Sequence, residues 1–163
     1  MSFSFAADRT LGKLAKWLRI LGFDTRYESG ASSRAFFETL ESERIFLTRT
    51  EKLRKMSCEH RLVFIKSNDP VEQLKQVINE VGITNEDLRP FSRCSPCNLP
   101  IVNIHKDSVI GRVPDYIWET HDAFSRCPRC ERIYWSGSHT KRCMERIEAL
   151  FQHRANSIST GEF

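Results

Sequence analysis

Two Cys-x-x-Cys pairs, Cys94-Ser95-Pro96-Cys97 and Cys127-Pro128-Arg129-Cys130, carry the clearest chemistry in this 163-residue chain. Each pair is a tight turn able to aim two thiolates at one point. Two such turns complete a tetrahedral shell suited to zinc. The 29 residues between the pairs leave room for a small hairpin and a helix. A closed four-thiolate shell has no open position, so its expected role is structural. Two disulfides or a redox pair are the competing readings. A reducing compartment argues against the first, and the presence of two pairs against the second. Cys58 and Cys143 stand outside the pairs and read as idle or buried thiols. The histidines His60, His105, His121, His139 and His153 form no HExxH-type set.

Carboxylates supply the second possible chemistry. Asp8 and Asp69 each follow a strand-like run, where the carboxyl edge of an open α/β sheet gathers catalytic groups. Magnesium or manganese could use such groups to activate a water and stabilise a leaving oxygen, but firm binding needs several convergent carboxylates. Glu51 and Asp24 are available to assist. Asp8 also suits the N-cap of the helix that begins at Arg9, and that structural role competes with the catalytic one.

The elements that must position these groups alternate through the first ninety or so residues, a regular succession of strand and helix. Strand-like runs cover residues 2–7, 24–27, 45–48 and 62–65. A helix from Arg9 places Leu11, Leu14, Ala15, Leu18 and Leu21 on one face and Arg9, Lys13, Lys16 and Arg19 on the other. Gly22 suits its C-cap. Ser32 or Ser33 can cap a second helix reaching Leu40. Pro70 opens a third, with Val71, Leu74, Val77, Ile78 and Val81 on one face and Gly82 at its end. Strand-helix alternation predicts a parallel sheet flanked by helices. The pattern breaks near Asp87 to Pro90. The expected organisation is an α/β domain over residues 1–88, a zinc-ribbon module with a C-terminal helix over 89–154, and a frayed tail over 155–163. Within the module, residues 101–104 and 132–135 are β-prone, and the helix runs from about Thr140 to Gln152.

Composition, 40% hydrophobic and 28% charged, fits a soluble globular chain. No apolar run is long enough to span a membrane, and the opening residues lack the pattern of a secretory signal. A cytoplasmic, reducing setting is expected. Basic residues are in excess over residues 1–34 and 121–154, with a near-neutral stretch over 35–90. Two basic regions could grip a polyanion, though ordinary solubilising charge gives the same balance.

The blocks FAADRTLGKLAKWLRILGFDTRY, FLTRT, RCSPCN and RCPRCERIYWSGSH, in that order, resemble the Mut-seven C-terminal RNase family, which is similar to PIN-domain nucleases with a zinc ribbon appended. The resemblance covers about residues 3–147. It implies a PIN-like α/β domain acting on RNA with divalent metal, and its first acidic position maps onto Asp8. The family usually ends its central strand with Thr-Arg-Asp, where this chain has Thr48-Arg49-Thr50. It tends to place an acid at the start of the second helix, where this chain has Ser32-Ser33-Arg34. Two expected ligands are therefore replaced.

Two functions follow from that resemblance. One is a metal-dependent endoribonuclease built on Asp8, Asp69 and Glu51. The other is an inactive RNA-binding or ribosome- or protein-docking module. RNA contacts are expected from Arg9, Lys13, Lys16, Arg19 and Arg49, and in the ribbon from Arg129, Arg132, Trp135, His139 and Arg142. Arg126, Lys141 and Tyr134 are further candidates. The basic ribbon suits an acidic protein partner as well as RNA. Trp135 or Tyr134 could instead pack into the ribbon core.

Overall fold

Four short parallel strands form the first layer, in a computed structural model that describes residues 3–30, 33–55 and 61–158. They are β1 (Ser4–Ala7), β2 (Asp24–Tyr27), β3 (Ile45–Thr48) and β4 (Leu62–Phe64), in the order β2-β1-β3-β4. Ser32, Cys58, His60 and the tail beyond Ile158 lie outside the described residues, as do the side chains of Ser33 and His153.

The central strands are covered on both faces. Phe5, Ala6 and Ala7 are fully buried, and so are Phe46 and Leu47. A parallel sheet hidden on both sides needs no wet face, and Phe5-Ala6-Ala7 run without a polar residue. Helix α1 (Gly12–Ile20), entered through a 3-10 turn at Arg9–Leu11, packs beside β1 and β2 and against α4 (Pro70–Val81). Leu14, Ala15 and Leu18 form its buried side, with Lys13 and Lys16 exposed. Ala6, Phe46, Leu40 and Leu53 make another cluster, joined by Phe36 of α2 (Ser33–Glu38); Leu53 comes from a one-turn helix, α3 (Glu51–Arg54).

Helix α4 shows how local signals set an element. Asp69 caps it, Pro70 occupies its first turn, and Gly82 ends it with a left-handed φ of 83°. Leu74, Val77, Ile78 and Val81 are buried as the period predicts. Val71 is not: it is 41% exposed. Gln73 is buried instead, its amide donating to Ser67 O at 3.0 Å.

The chain divides into two compact units, Met1–Asn98 and Leu99–Phe163. In the second, β5 (Val102–Ile104), β6 (Phe124–Arg126) and β7 (Ile133–Trp135) form an antiparallel sheet in that order. A six-residue helix, α5 (Asp115–Thr120), closes a small core of Val109, Val113, Ile117 and Phe124. Ile104, Trp118, Ile133 and Trp135 pack around it. The last helix, α6 (Ser138–Ile158), extends past Gln152 and buries Cys143, Ile147 and Phe151 at four-residue intervals.

Candidate functional site

The strand order β2-β1-β3-β4 reverses direction between β1 and β3. That switch point opens a crevice at the carboxyl ends, the usual place for chemistry in such sheets. Asp8 is the first residue beyond β1 and is fully buried there. Its amide donates to Leu47 O of β3 at 3.0 Å.

The Asp8 carboxylate accepts from five donors. Oδ1 receives the Thr10 amide at 2.8 Å and the Thr10 hydroxyl at 2.5 Å. Oδ2 receives the Thr48 hydroxyl at 2.5 Å, the Arg49 amide at 3.0 Å and the Thr50 hydroxyl at 3.3 Å. Thr48 Oγ1 in turn accepts from the Thr50 amide at 3.0 Å, closing the network. Burial pushes the Asp8 pKa up. The bonds from Thr10, Thr48 and the Arg49 and Thr10 amides outweigh it and hold the carboxyl below its ordinary range. The group is ionised at neutral pH and its charge is answered by hydroxyls and amides. Asp8 is at once the switch-point acid and the N-cap of the turn at Arg9–Leu11.

A second buried acid stands at the neighbouring strand end. Ala7 pairs with Tyr27 in the β1–β2 ladder, and the Glu28 amide donates to Ala7 O at 3.0 Å. Glu28 is 1% exposed. Its carboxylate accepts from the Arg9 amide at 3.3 Å, Arg9 Nε at 3.3 Å and Arg9 Nη2 at 3.1 Å. No motif in the sequence singles out Glu28. The signal that identifies it is its register, one residue beyond β2 as Asp8 is one beyond β1.

The other carboxylates are engaged locally. Asp69 Oδ1 accepts from the amides of Val71 at 2.9 Å and Glu72 at 3.0 Å, as a helix cap. Glu51 is exposed at the start of α3 and pairs with Arg54 at 3.5 Å. Asp24 faces Arg44 at 3.0 Å and Asn98 at 2.6 Å. Among the described residues, the group of three or more metal-competent side chains is the four cysteines. The carboxylates as arranged do not fit a magnesium or manganese centre: the acid at the switch point faces donors, and its neighbour faces an arginine.

The cysteines do fit a metal. The sulfurs of Cys94, Cys97, Cys127 and Cys130 lie within 4.8 Å of one another and none is in a disulfide. The two knuckles close alike. The Asn98 amide donates to Cys94 O at 2.8 Å and the Glu131 amide to Cys127 O at 3.0 Å. Asn98 and Glu131 both take left-handed backbone, φ 61° and 57°. Asn tolerates this well and Glu less so, a strained position at a ligand clamp. Four thiolates with no open position could hold a structural ion such as zinc. Cys143 is buried in α6, and burial pushes its thiol up, which disfavours the thiolate.

The basic residues fall into two groups. Lys13, Lys16, Arg129, Arg132, His139 and Arg142 are exposed. Arg9 is engaged with Glu28 and with Gly30 O at 3.1 Å, Arg49 donates to Asn68, and Arg19 donates to three backbone carbonyls, those of Thr25, Ser95 and Pro96. Trp135 lies against the ribbon core.

The architecture is a parallel four-stranded α/β layer with an acid at its switch point, followed by a four-cysteine cluster consistent with a zinc ribbon. The family model of the Mut7-C RNAse domain matches residues 3–147, and the chain belongs to that family. No curated protein and no solved structure matches it. Among the described residues no helix is long and apolar enough to cross a membrane.

Proposed function

We propose that this chain binds RNA on a nuclease-type scaffold whose carboxylate centre no longer supports metal-dependent hydrolysis. The observation that carries the reading is the Thr50 hydroxyl, donating to Asp8 Oδ2 at 3.3 Å where the resemblance implies a second acid. Two carboxylates that close need a cation or a shared proton between them. A hydroxyl donor there removes that need, and with it a ligand charge. Asp8 then orders the loops after β1 and β3, a structural task.

RNA affinity is supported by the family and by exposed cations on both units: Lys13 and Lys16 on α1, and Arg129, Arg132 and Arg142 in the ribbon. Phosphate contacts by these side chains release counterions, so binding must weaken steeply with salt. The test is a fluorescence titration of single-stranded and structured RNA across a salt series. Lys13→Ala with Lys16→Ala is expected to lower affinity and to reduce the salt slope by about one for each phosphate no longer neutralised. A flat salt response contradicts RNA binding and favours a protein partner for the basic ribbon.

The active-nuclease reading has one observation behind it, the burial of Glu28 beside Asp8 at adjacent strand ends. Its requirement is that Arg9 release Glu28 and the threonine hydroxyls turn away from Asp8. Magnesium or manganese, held by those two acids, would then supply the activated water; the chain's part would be to present both carboxylates.

A further inference from the structure

Residues 89–98 run back along the end of α1 and the edge strand β2. The Arg89 amide donates to Leu21 O at 2.9 Å and the Phe91 amide to Ile20 O at 2.8 Å. Arg93 Nε reaches Gly22 O at 3.1 Å, while its Nη1 holds Asn98 O at 2.6 Å. This approach is close: a Cβ on Gly22 would stand 2.3 Å from Arg89 O.

An edge strand leaves one row of backbone groups without a neighbouring strand. At Thr25 of β2 both outward groups are taken by side chains. The Thr25 amide donates to Asn98 Oδ1 at 2.9 Å, and Thr25 O accepts from Arg19 Nε at 3.0 Å. Asn98 Nδ2 completes its contacts on Asp24 Oδ1 at 2.6 Å. The first cysteine knuckle is thereby fixed where another strand would pair.

Arg19 joins that edge to the turn between the two cysteines. Its Nη1 donates to Ser95 O at 2.8 Å and to Pro96 O at 3.1 Å. These carbonyls belong to the peptides that separate Cys94 from Cys97. Burial pulls the guanidinium's pKa down, and the charges of Cys94, Asp24 and Cys97 pull it up. The cation meets the knuckle through the backbone carbonyls of its turn. Lys13 and Lys16, on the same helix, are exposed and have no such role.

We propose that Arg19 is a positioning residue of the metal centre: its guanidinium fixes the Ser95–Pro96 turn so that Cys94 and Cys97 present both sulfurs to one ion. Partners of this kind, which touch a ligand's backbone and not the ion, set metal affinity through orientation. Arg19 is then withdrawn from the RNA-facing cations of α1.

The test is zinc affinity of the full chain, read by competition with a chromophoric chelator, with the cobalt-thiolate absorption spectrum recorded alongside. Arg19→Ala is expected to weaken zinc binding by about 10–100-fold. Arg19→Lys, which keeps the charge and can donate to the turn but lacks a second nitrogen to hold Thr25 O, is expected to recover part of it. Lys16→Ala should match the parent chain. Val77→Ala, a core change in α4, controls for lost stability and should lower the melting temperature without moving zinc affinity. Zinc affinity unchanged in folded Arg19→Ala overturns the proposal. If that variant does not fold, Arg19→Met decides, since it keeps the apolar stem and removes every donor to the turn: parent-like affinity overturns the proposal equally. Reduced RNA binding with zinc affinity intact would instead make Arg19 an RNA contact.

Discussion

Replacing Thr50 by aspartate is the sharpest perturbation of the switch-point network. Thr50 Oγ1 lies 3.3 Å from Asp8 Oδ2. Two unit charges at about that separation repel by roughly 5 kcal/mol at an effective dielectric of about 20. Proton uptake limits the cost. Neutralising an aspartate of ordinary pKa at pH 7 takes about 4 kcal/mol, so the repulsion cannot exceed that figure there. The lost hydroxyl bond alone is worth about 1 kcal/mol. Thr50→Asp should therefore destabilise the protein by about 1–4 kcal/mol at pH 7. At roughly 2–4 °C per kcal/mol for a chain of this size, a mid-range loss lowers the melting temperature by about 5–10 °C. A divalent cation relieves the repulsion, and at a hundredfold excess over its dissociation constant contributes about 2.7 kcal/mol. Thermal unfolding with and without manganese reads both effects. The expected result is a depressed melting temperature that manganese largely restores in Thr50→Asp and leaves unmoved in the parent. Equal stability without metal and no manganese response in the variant would refute the argument. So would a parent protein stabilised by manganese to the same extent.

Three further outcomes follow from the same geometry. Asp8 has a folded pKa below its ordinary value of 3.8, so its contribution is complete above that pH and is lost as pH falls through the folded pKa. Asp8→Asn should lose about 2–4 kcal/mol at pH 7 and flatten the acid limb of the stability curve, checked by urea melts from neutral to acid pH. Gly22 has a φ of 98°, and a Cβ there would meet a backbone oxygen at 2.3 Å, so Gly22→Ala should cost about 2 kcal/mol or more, read by chemical denaturation. Removing zinc with a strong chelator should abolish ordered signals from the ribbon, whose apolar core is small, as seen in amide spectra before and after zinc is returned.

The strands and the capped helix α4 were legible because their signals are local. Leu62-Val63-Phe64 is apolar and β-rich, and Asp69-Pro70 with Gly82 brackets a 3.6-residue period. Strand β6, Phe-Ser-Arg, gives no such signal; it exists because it lies between β5 and β7 and supplies Phe124 to the core. The one-turn helix α3 is likewise fixed by Leu53 against Phe46 and Leu40, and not by any run of its own. The cysteine cluster was legible from spacing alone. The Asp8 network was only half legible. Asp8 and the replacement at Thr50 show in one dimension, but the five donors come from two strand ends made adjacent by a crossover. Glu28 and Arg19 were obscured for the same reason. The first depends on ladder register, the second on a segment more than seventy residues away that covers part of its helix face.

The central claim, binding without metal-dependent cleavage, meets its most direct test in one experiment. Zinc-loaded protein is incubated with a labelled panel of single-stranded and structured RNAs without added metal, with magnesium and with manganese, alongside Asp8→Asn. The account predicts salt-sensitive RNA binding and intact RNA in every lane. Cleavage that requires magnesium or manganese and disappears in Asp8→Asn would contradict it and establish an active nuclease.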